Sequence, residues 1–372
     1  MKHKLIFLFI LTLCLGMLSV ISFADSPPAT LTIDGVFFSE FPSVQEAVDA
    51  IEANAGTDFV VEIAAGTVTD PLDVIQHLDK NIVIRPQAGA TVTFTNTINI
   101  DGRGQLNNSA TLLIEGLNFD LTSGAQQRCI YFVQIPPYAG NCYPHNITIN
   151  GCTFKGIYDF TVAVDSVPGG SRNIAIMNCT ATDMHSLAQL KAVSGYAFIQ
   201  NCVLSNTAGG VNYYGNTGNL VVDSCKFDVT GYAVRSGQNV GNIADTGSVT
   251  INNSILNSNS TIGTVVLRGD STSNINILHS NITNADPAGW ALENLNGASI
   301  DKYHIKLVES NVEGETTNID PTTIVTIDDP NVPNGPVNIT GNGTDISLIF
   351  LIAFLAVVIV VLLIIIFAIL GV

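Results

Sequence analysis

Asn146-Ile-Thr-Ile-Asn-Gly-Cys152-Thr-Phe154 is followed by near copies at Asn173-Ile-Ala-Ile-Met-Asn-Cys179-Thr-Ala181, Tyr196-Ala-Phe-Ile-Gln-Asn-Cys202-Val-Leu204 and Asn219-Leu-Val-Val-Asp-Ser-Cys225-Lys-Phe227. Ser248-Val-Thr-Ile-Asn-Asn-Ser254-Ile-Leu256, Asn274-Ile-Asn-Ile-Leu-His-Ser280-Asn-Ile282 and His304-Ile-Lys-Leu-Val-Glu-Ser310-Asn-Val312 continue the series. The Cys or Ser marks fall at 152, 179, 202, 225, 254, 280 and 310, at intervals of 27, 23, 23, 29, 26 and 30 residues. A motif returning at such a period marks a solenoid. Each copy opens with an in-out-in alternation such as Ile147, Thr148, Ile149, the period-2 signature of a half-buried strand. Asn, Gly or Ser then supplies a bend, because these residues accept left-handed backbone. The Cys or Ser opens a second short strand. A third follows at Val162-Ala-Val164, Ala188-Gln-Leu190, Val211-Asn-Tyr213, Tyr232-Ala-Val234, Val265-Val-Leu267 and Trp290-Ala-Leu292. Three short strands per turn with no helix between them exclude a βαβ sheet. They predict a parallel β-helix, with equivalent strands of successive turns about 4.8 Å apart.

Upstream, Pro42-Ser-Val-Gln-Glu-Ala-Val-Asp-Ala-Ile-Glu52 sets Val44, Ala47, Val48 and Ile51 at helical spacing and reads as a capping helix. Phe59-Val-Val-Glu-Ile63 reads as the first strand and Ala64-Ala-Gly-Thr67 as its turn. On these features the chain resembles the pectin lyase-like right-handed parallel β-helices across residues 30–315, as a surface-anchored, adhesin-like member. The resemblance implies an all-β, right-handed parallel β-helix solenoid of about nine coils with a short N-terminal capping helix. It does not fix an activity, since this fold carries lyases, hydrolases, epimerases, adhesins and inert spikes.

Residues 1–24 read as a secretory signal peptide: Lys2, His3 and Lys4, an apolar run from Leu5 to Phe23, and Ser22-Phe23-Ala24 before the cleavage point. Residues 25–314 are expected to form the β-helix, and residues 315–345 a linker rich in Pro, Asn, Gly and Thr. Residues 346–370 carry no charge. As a helix they measure about 37 Å, enough to cross a hydrocarbon core of about 30 Å. The expected location is therefore the cell surface, with an extracellular domain anchored by a single C-terminal transmembrane helix. Lys and Arg number 14 against 31 Asp and Glu, a net charge of −17. That field argues against nucleic acid as a partner.

Cys152, Cys179, Cys202 and Cys225 stand at one position of successive turns and read as small interior knobs. Stacked thiols point the same way and do not converge on a tetrahedral metal site. Neither a metal nor another cofactor is implied. Cys129 and Cys142 flank the Pro136-Pro137 loop. In an exported chain they read as a disulfide, with two unpaired thiols as the alternative. Glycosylation sequons begin at Asn107, Asn146, Asn178, Asn252, Asn259, Asn281, Asn338 and Asn342, and the linker pair Asn338 and Asn342 are the preferred acceptors.

In the superfamily that the chain resembles, one outer strand face lines a carbohydrate groove. Carried onto the strands here, the in-out alternation gives a column of Asp101, Val133, Asp165, Lys191, Tyr214, Arg235, Arg268 and Glu293. Asp165 with Lys191, and Arg268 with Glu293, fall on adjacent rungs as surface pairs worth little. Arg235 is left between Tyr214 and Arg268 with no acid beside it in the column. The column reads either as a solvated face or as a subsite. As a subsite, Asp165, Lys191, Tyr214, Arg235, Arg268 and Glu293 contact a polysaccharide or cell-surface glycan. An enzymatic reading stays open as the alternative: an anchored polysaccharide lyase or glycoside hydrolase of the same fold. Arg235 has the chemistry of a lyase base. Asp101 and Asp165, two rungs apart, stand at the edge of the spacing of about 5–9.5 Å that a hydrolase pair needs. The polygalacturonase-type motifs Asn-Thr-Asp and Gly-His-Gly are absent.

Overall fold

The computed structural model describes residues 26–75, 79–102, 110–122, 128–133, 145–164, 172–191, 193–214, 217–237, 246–268, 274–294, 304–313, 315–317 and 324–327. The expected signal peptide, the expected transmembrane segment 346–370, and Cys142, Asp165, Asn338 and Asn342 lie outside them. Among the described residues, no helix is long and apolar enough to cross a membrane.

Seven strands carrying the repeat, His145–Asn150, Arg172–Met177, Tyr196–Gln200, Asn219–Asp223, Val249–Asn252, Asn274–Leu278 and His304–Val308, are successive parallel neighbours in one 13-stranded sheet. Their register stacks like on like: Ile147, Ile174, Ala197, Leu220, Val249, Ile275 and Ile305 form one buried column. The second and third strands of each turn build an 18-stranded sheet, also parallel. Its interior carries an aromatic stack of Phe94, Phe119 and Phe154, with ring centroids 5.4 and 5.1 Å apart. The chain is a parallel β-helix.

The turn before each mark is left-handed in every copy. Gly151, Asn178, Asn201, Ser224, Asn253, His279 and Glu309 have φ of 63, 54, 51, 54, 47, 48 and 45°. The marks that follow do more than fill space. Cys202 N–H donates to Cys225 Sγ at 3.5 Å, and Cys225, Ser254 and Ser280 N–H each donate to the next mark's Oγ at 3.1 Å. Each side chain in turn donates to the carbonyl two residues before it, as Cys225 does to Asp223 at 3.3 Å and Ser254 to Asn252 at 2.7 Å. A small side chain with an acceptor thus satisfies an N–H that the bend removes from the ladder, while its own proton goes to a carbonyl that also accepts a neighbouring turn's N–H. That requirement explains why the slot takes Cys or Ser. Hydrogen bonding with Cys179, and then burial, raise the Cys152 thiol well above its ordinary range.

Cys129 does not make the bridge expected for it. It is a free thiol with no exposed surface. Its backbone is locked in the ladder, N–H to Thr161 O at 3.1 Å and O from Ile98 N at 2.8 Å, which turns the side chain into the core. Burial pushes that thiol up.

Outside, carboxylates of one turn accept hydrogen bonds from amides of a neighbouring turn. Asn81 donates to Asp58, Asn99 to Asp73, Asn150 to Glu115 and Asn252 to Asp223, each at 2.8 Å, and Asn257 to Asp228 at 2.7 Å.

The ends depart from parallel order. At the start, Ala29–Ile33 and Val36–Phe41 form an antiparallel hairpin about Asp34-Gly35, and Ala29–Ile33 also pairs antiparallel with Asp58–Ile63. Helix Val44–Ala53 then buries Val44, Ala47, Val48 and Ile51, the four expected residues. Its first turn is capped by Ser43, whose Oγ accepts from Glu46 N at 3.2 Å. Its last carbonyls are capped from elsewhere in the chain. Lys80 Nζ, on a residue only 8% exposed, donates to Ile51 O at 2.6 Å, Asn54 O at 2.9 Å and Glu52 O at 3.3 Å. At the far end the solenoid runs on past residue 314. Glu315–Thr317 pairs with Trp290–Asn294, and Ile324–Ile327 with His304–Val308. The expected linker boundary came too early because Ile324-Val-Thr-Ile327 carries a strand's alternation without a Cys or Ser mark.

Candidate functional site

The expected column is two columns. Val211 pairs with Val234, so Arg235 stands beside Asn212 and not beside Tyr214. Val265 pairs with Leu292, so Glu293 stands beside Val266 and not beside Arg268. One column therefore reads Asp73, Asn99, Tyr131, Ala163, Gln189, Asn212, Arg235, Val266 and Glu293. Lys191 and Tyr214 pair in the other, two residues along each strand. Arg268 N–H bonds Ser236 O at 2.8 Å, which sets Arg268 in register with Gly237 of that second column. Arg235 and Arg268 are thus not neighbours on one column, and the like-charge contact expected between them is not made. The physical reason is parity: a slip of one residue turns every side chain over, while a slip of two keeps inside in and outside out. Apolar alternation cannot see such a slip.

The slip moves Tyr232 out of the strand and into the bend before it, where it organises the site. Its hydroxyl accepts from Asn212 Nδ2 at 2.5 Å and lies 3.3 Å from Ser186 Oγ. Arg235 lies over its ring, the guanidinium carbon 5.4 Å from the centroid. Gly209 and Gly210 make the room: a Cβ on Gly209 would meet the Tyr232 ring at 2.9 Å, and one on Gly210 the Ala233 carbonyl oxygen at 2.1 Å. That glycine pair was the sequence signal for Tyr232, and the alternation obscured it.

Around this centre, Tyr214 donates to Gln189 Oε1 at 3.3 Å and Lys191 Nζ stands 6.0 Å from the Tyr214 ring centroid. Lower in the first column, Arg128 stacks on Tyr131 at 4.2 Å. Asn212 and Glu293 are almost completely buried. Glu293 Oε2 accepts the Gly263 N–H at 2.6 Å, so this carboxylate serves the bend and does not pair with Arg268 as expected. Arg235 makes no ion pair with the described residues, and its Nε and the neighbouring Asn212 Oδ1 are buried without a hydrogen-bond partner. Of the six expected contacts, Lys191 and Tyr214 pair in the second column, and Arg235 stands in the first beside Asn212. Arg268 lies further along its own strand. Glu293 is two rungs from Arg235. Asp165 is outside the described residues. Gln189, Asn212 and Tyr232 are additions. No group of three or more His, Cys, Asp or Glu residues converges as a metal site among the described residues.

No family model matches the chain, and no curated protein matches it. Among solved structures it is similar to the A-module of the mannuronan C-5 epimerase AlgE6 of Azotobacter vinelandii, with a TM-score of 0.38 and 12% identity over 77% of this chain and 94% of that one. The A-module of the epimerase AlgE4 of the same organism gives a TM-score of 0.35 and 11% identity over the same shares. Likeness at this level brings no activity to the chain.

Proposed function

We propose that this chain is a carbohydrate-binding module displayed at the cell surface, exported by residues 1–24 and held by the apolar segment 346–370. One observation carries the binding reading. In a chain of net charge −17, Arg235 stands on the outer column with no carboxylate on either adjacent rung, between Asn212 and Val266, and is held on the Tyr232 ring. A solvated face in so acidic a chain offers carboxylates to a cation. The partner that fits is a polysaccharide or cell-surface glycan: ring faces stack on Tyr214 or Tyr131, and hydroxyls accept from the Arg235 guanidinium. Lys191 borders the same surface.

The test is retention of the purified protein on a panel of immobilised glycans, with the eluate assayed for new reducing or unsaturated ends. Arg235→Ala is expected to weaken retention about tenfold or more, the value of one or two charge-assisted hydrogen bonds. Arg235→Lys, a point charge without the fork, restores only part. Unchanged retention in Arg235→Ala at unchanged thermal stability would refute the proposal. Release of new ends would make the chain an anchored lyase or hydrolase.

A further inference from the structure

Five sequons fall within the described residues, and four of them are woven into the solenoid. Asn146 donates to Ala110 O at 3.4 Å and accepts from Asn173 at 2.9 Å. Asn178 donates to Asn150 at 2.8 Å and accepts from Asn201 at 3.1 Å. Asn252 donates to Asp223 at 2.8 Å, and its hydroxyl residue, Ser254, is a buried mark of the ladder. Asn281 accepts from Asn311 at 3.2 Å, while its Thr283 is bonded to Asn257 at 2.7 Å. The fifth, Asn259-Ser260-Thr261, is different. Asn259 and Thr261 are both exposed, and neither side chain is engaged by the described residues. The backbone beneath them is fixed: Asn259 N–H bonds Val229 O at 3.2 Å, Asn284 Nδ2 holds Ser260 O at 2.9 Å, and Ser260 Oγ accepts Ile262 N–H at 3.1 Å. A rigid bend therefore presents a free amide and a free hydroxyl to solvent.

We propose that Asn259 is an N-glycosylation site, taking its glycan from a lipid-pyrophosphate-linked oligosaccharide. In the transfer a bond forms between Asn259 Nδ2 and the anomeric carbon, and the bond from that carbon to the pyrophosphate oxygen breaks. The lipid pyrophosphate leaves with the electron pair, and the amide proton passes to the transferring enzyme's base. A glycan on Asn178 or Asn252 replaces one of the two hydrogens on a nitrogen that ties one turn to the next and crowds that contact. A glycan on Asn259 disturbs none of these. Glycan at Asn259 is therefore compatible with the folded solenoid where glycan at the ladder positions strains it.

The full chain is expressed in cells that N-glycosylate exported proteins, and the exported, folded fraction is digested and its glycopeptides identified by mass. The peptide spanning Asn259 is expected to carry glycan, removable by a peptide N-glycosidase that hydrolyses the side-chain amide and converts Asn to Asp. Thr261→Ala, which leaves Asn259 in place, abolishes it without altering the melting temperature, and Asn259→Gln gives the same result. The peptides containing Asn178 and Asn252 are expected to be unmodified. An unmodified Asn259 in the folded fraction overturns the proposal, and so does glycan on Asn178 or Asn252 at equal occupancy. Neither outcome bears on glycan retention at Arg235, so the two proposals fail separately.

Discussion

Ser254→Ala tests the reading that each mark closes the bend by hydrogen bonding. Ser254 has no exposed surface. Its Oγ accepts the Cys225 N–H at 3.1 Å and donates to Asn252 O at 2.7 Å. Alanine keeps the size of the slot within one atom but leaves a buried N–H without an acceptor. An orphaned buried donor costs about 1–3 kcal/mol, so a loss of about 2 kcal/mol is expected. In a domain of this size that lowers the melting temperature by about 3 °C. Ser254→Cys is the control, because Cys225 Sγ already accepts the Cys202 N–H one turn earlier at 3.5 Å. It should lose less than half as much. Thermal unfolding of the two variants followed by circular dichroism, with hydrogen exchange at the Cys225 amide, decides the matter. If alanine and cysteine cost the same, or alanine costs nothing, the slot selects for volume alone and the hydrogen-bonding account is wrong.

Lys80→Met keeps the stem but removes three donations to the helix end, and a cost of about 3 kcal/mol is expected, with exchange accelerated across Ala47–Asn54. Unchanged exchange there would show that the helix end is held by packing. Ser224→Asn is expected to stabilise by a few tenths of a kcal/mol to about 1, since Asn tolerates the left-handed φ of 54° better than Ser. It also extends the Asn178–Asn201 amide pair by a rung, and a lower melting temperature would contradict it. Asp34 accepts the Asp58 and Thr57 N–H groups, which holds its carboxyl below the ordinary 3.8. A depressed folded value means that its contribution is complete above the unfolded value and fades as pH falls through the folded one. Asp34→Asn should therefore flatten the acid limb of a stability-against-pH curve below about pH 4, and an unaltered limb would refute this.

The solenoid was legible because its bends require particular chemistry. Left-handed backbone asks for Gly or Asn, and the orphaned amide after it asks for Cys or Ser, so Asn201-Cys202 and Asn253-Ser254 announce a turn whatever the strands contain. The site was less legible because strand parity is blind to a shift of two, and two such shifts, at Val234 and at Leu292, broke the column apart. Lys191 and Tyr214 were set together correctly because no shift falls between them. Tyr232 has the pattern of a strand residue because it opens an apolar triplet, and only Gly209-Gly210 mark the space its ring takes in the bend. Asp34-Gly35 is a turn pair in the sequence, and it forms the hairpin between Ala29–Ile33 and Val36–Phe41.

The carboxylates of Asp58, Asp73, Glu115 and Asp223 are held by neutral amides. This choice of partner has an ionic consequence. Attraction between opposite charges at a surface weakens as salt shortens the screening length, to about 3 Å at 1 M. A carboxylate bonded to an amide loses little by comparison, while its repulsion from other carboxylates is damped. Adding salt should therefore tighten this solenoid, or leave it unmoved, in brines that loosen a rod stapled by Lys–Glu pairs. An acidic surface of this construction is suited to surroundings whose salinity varies.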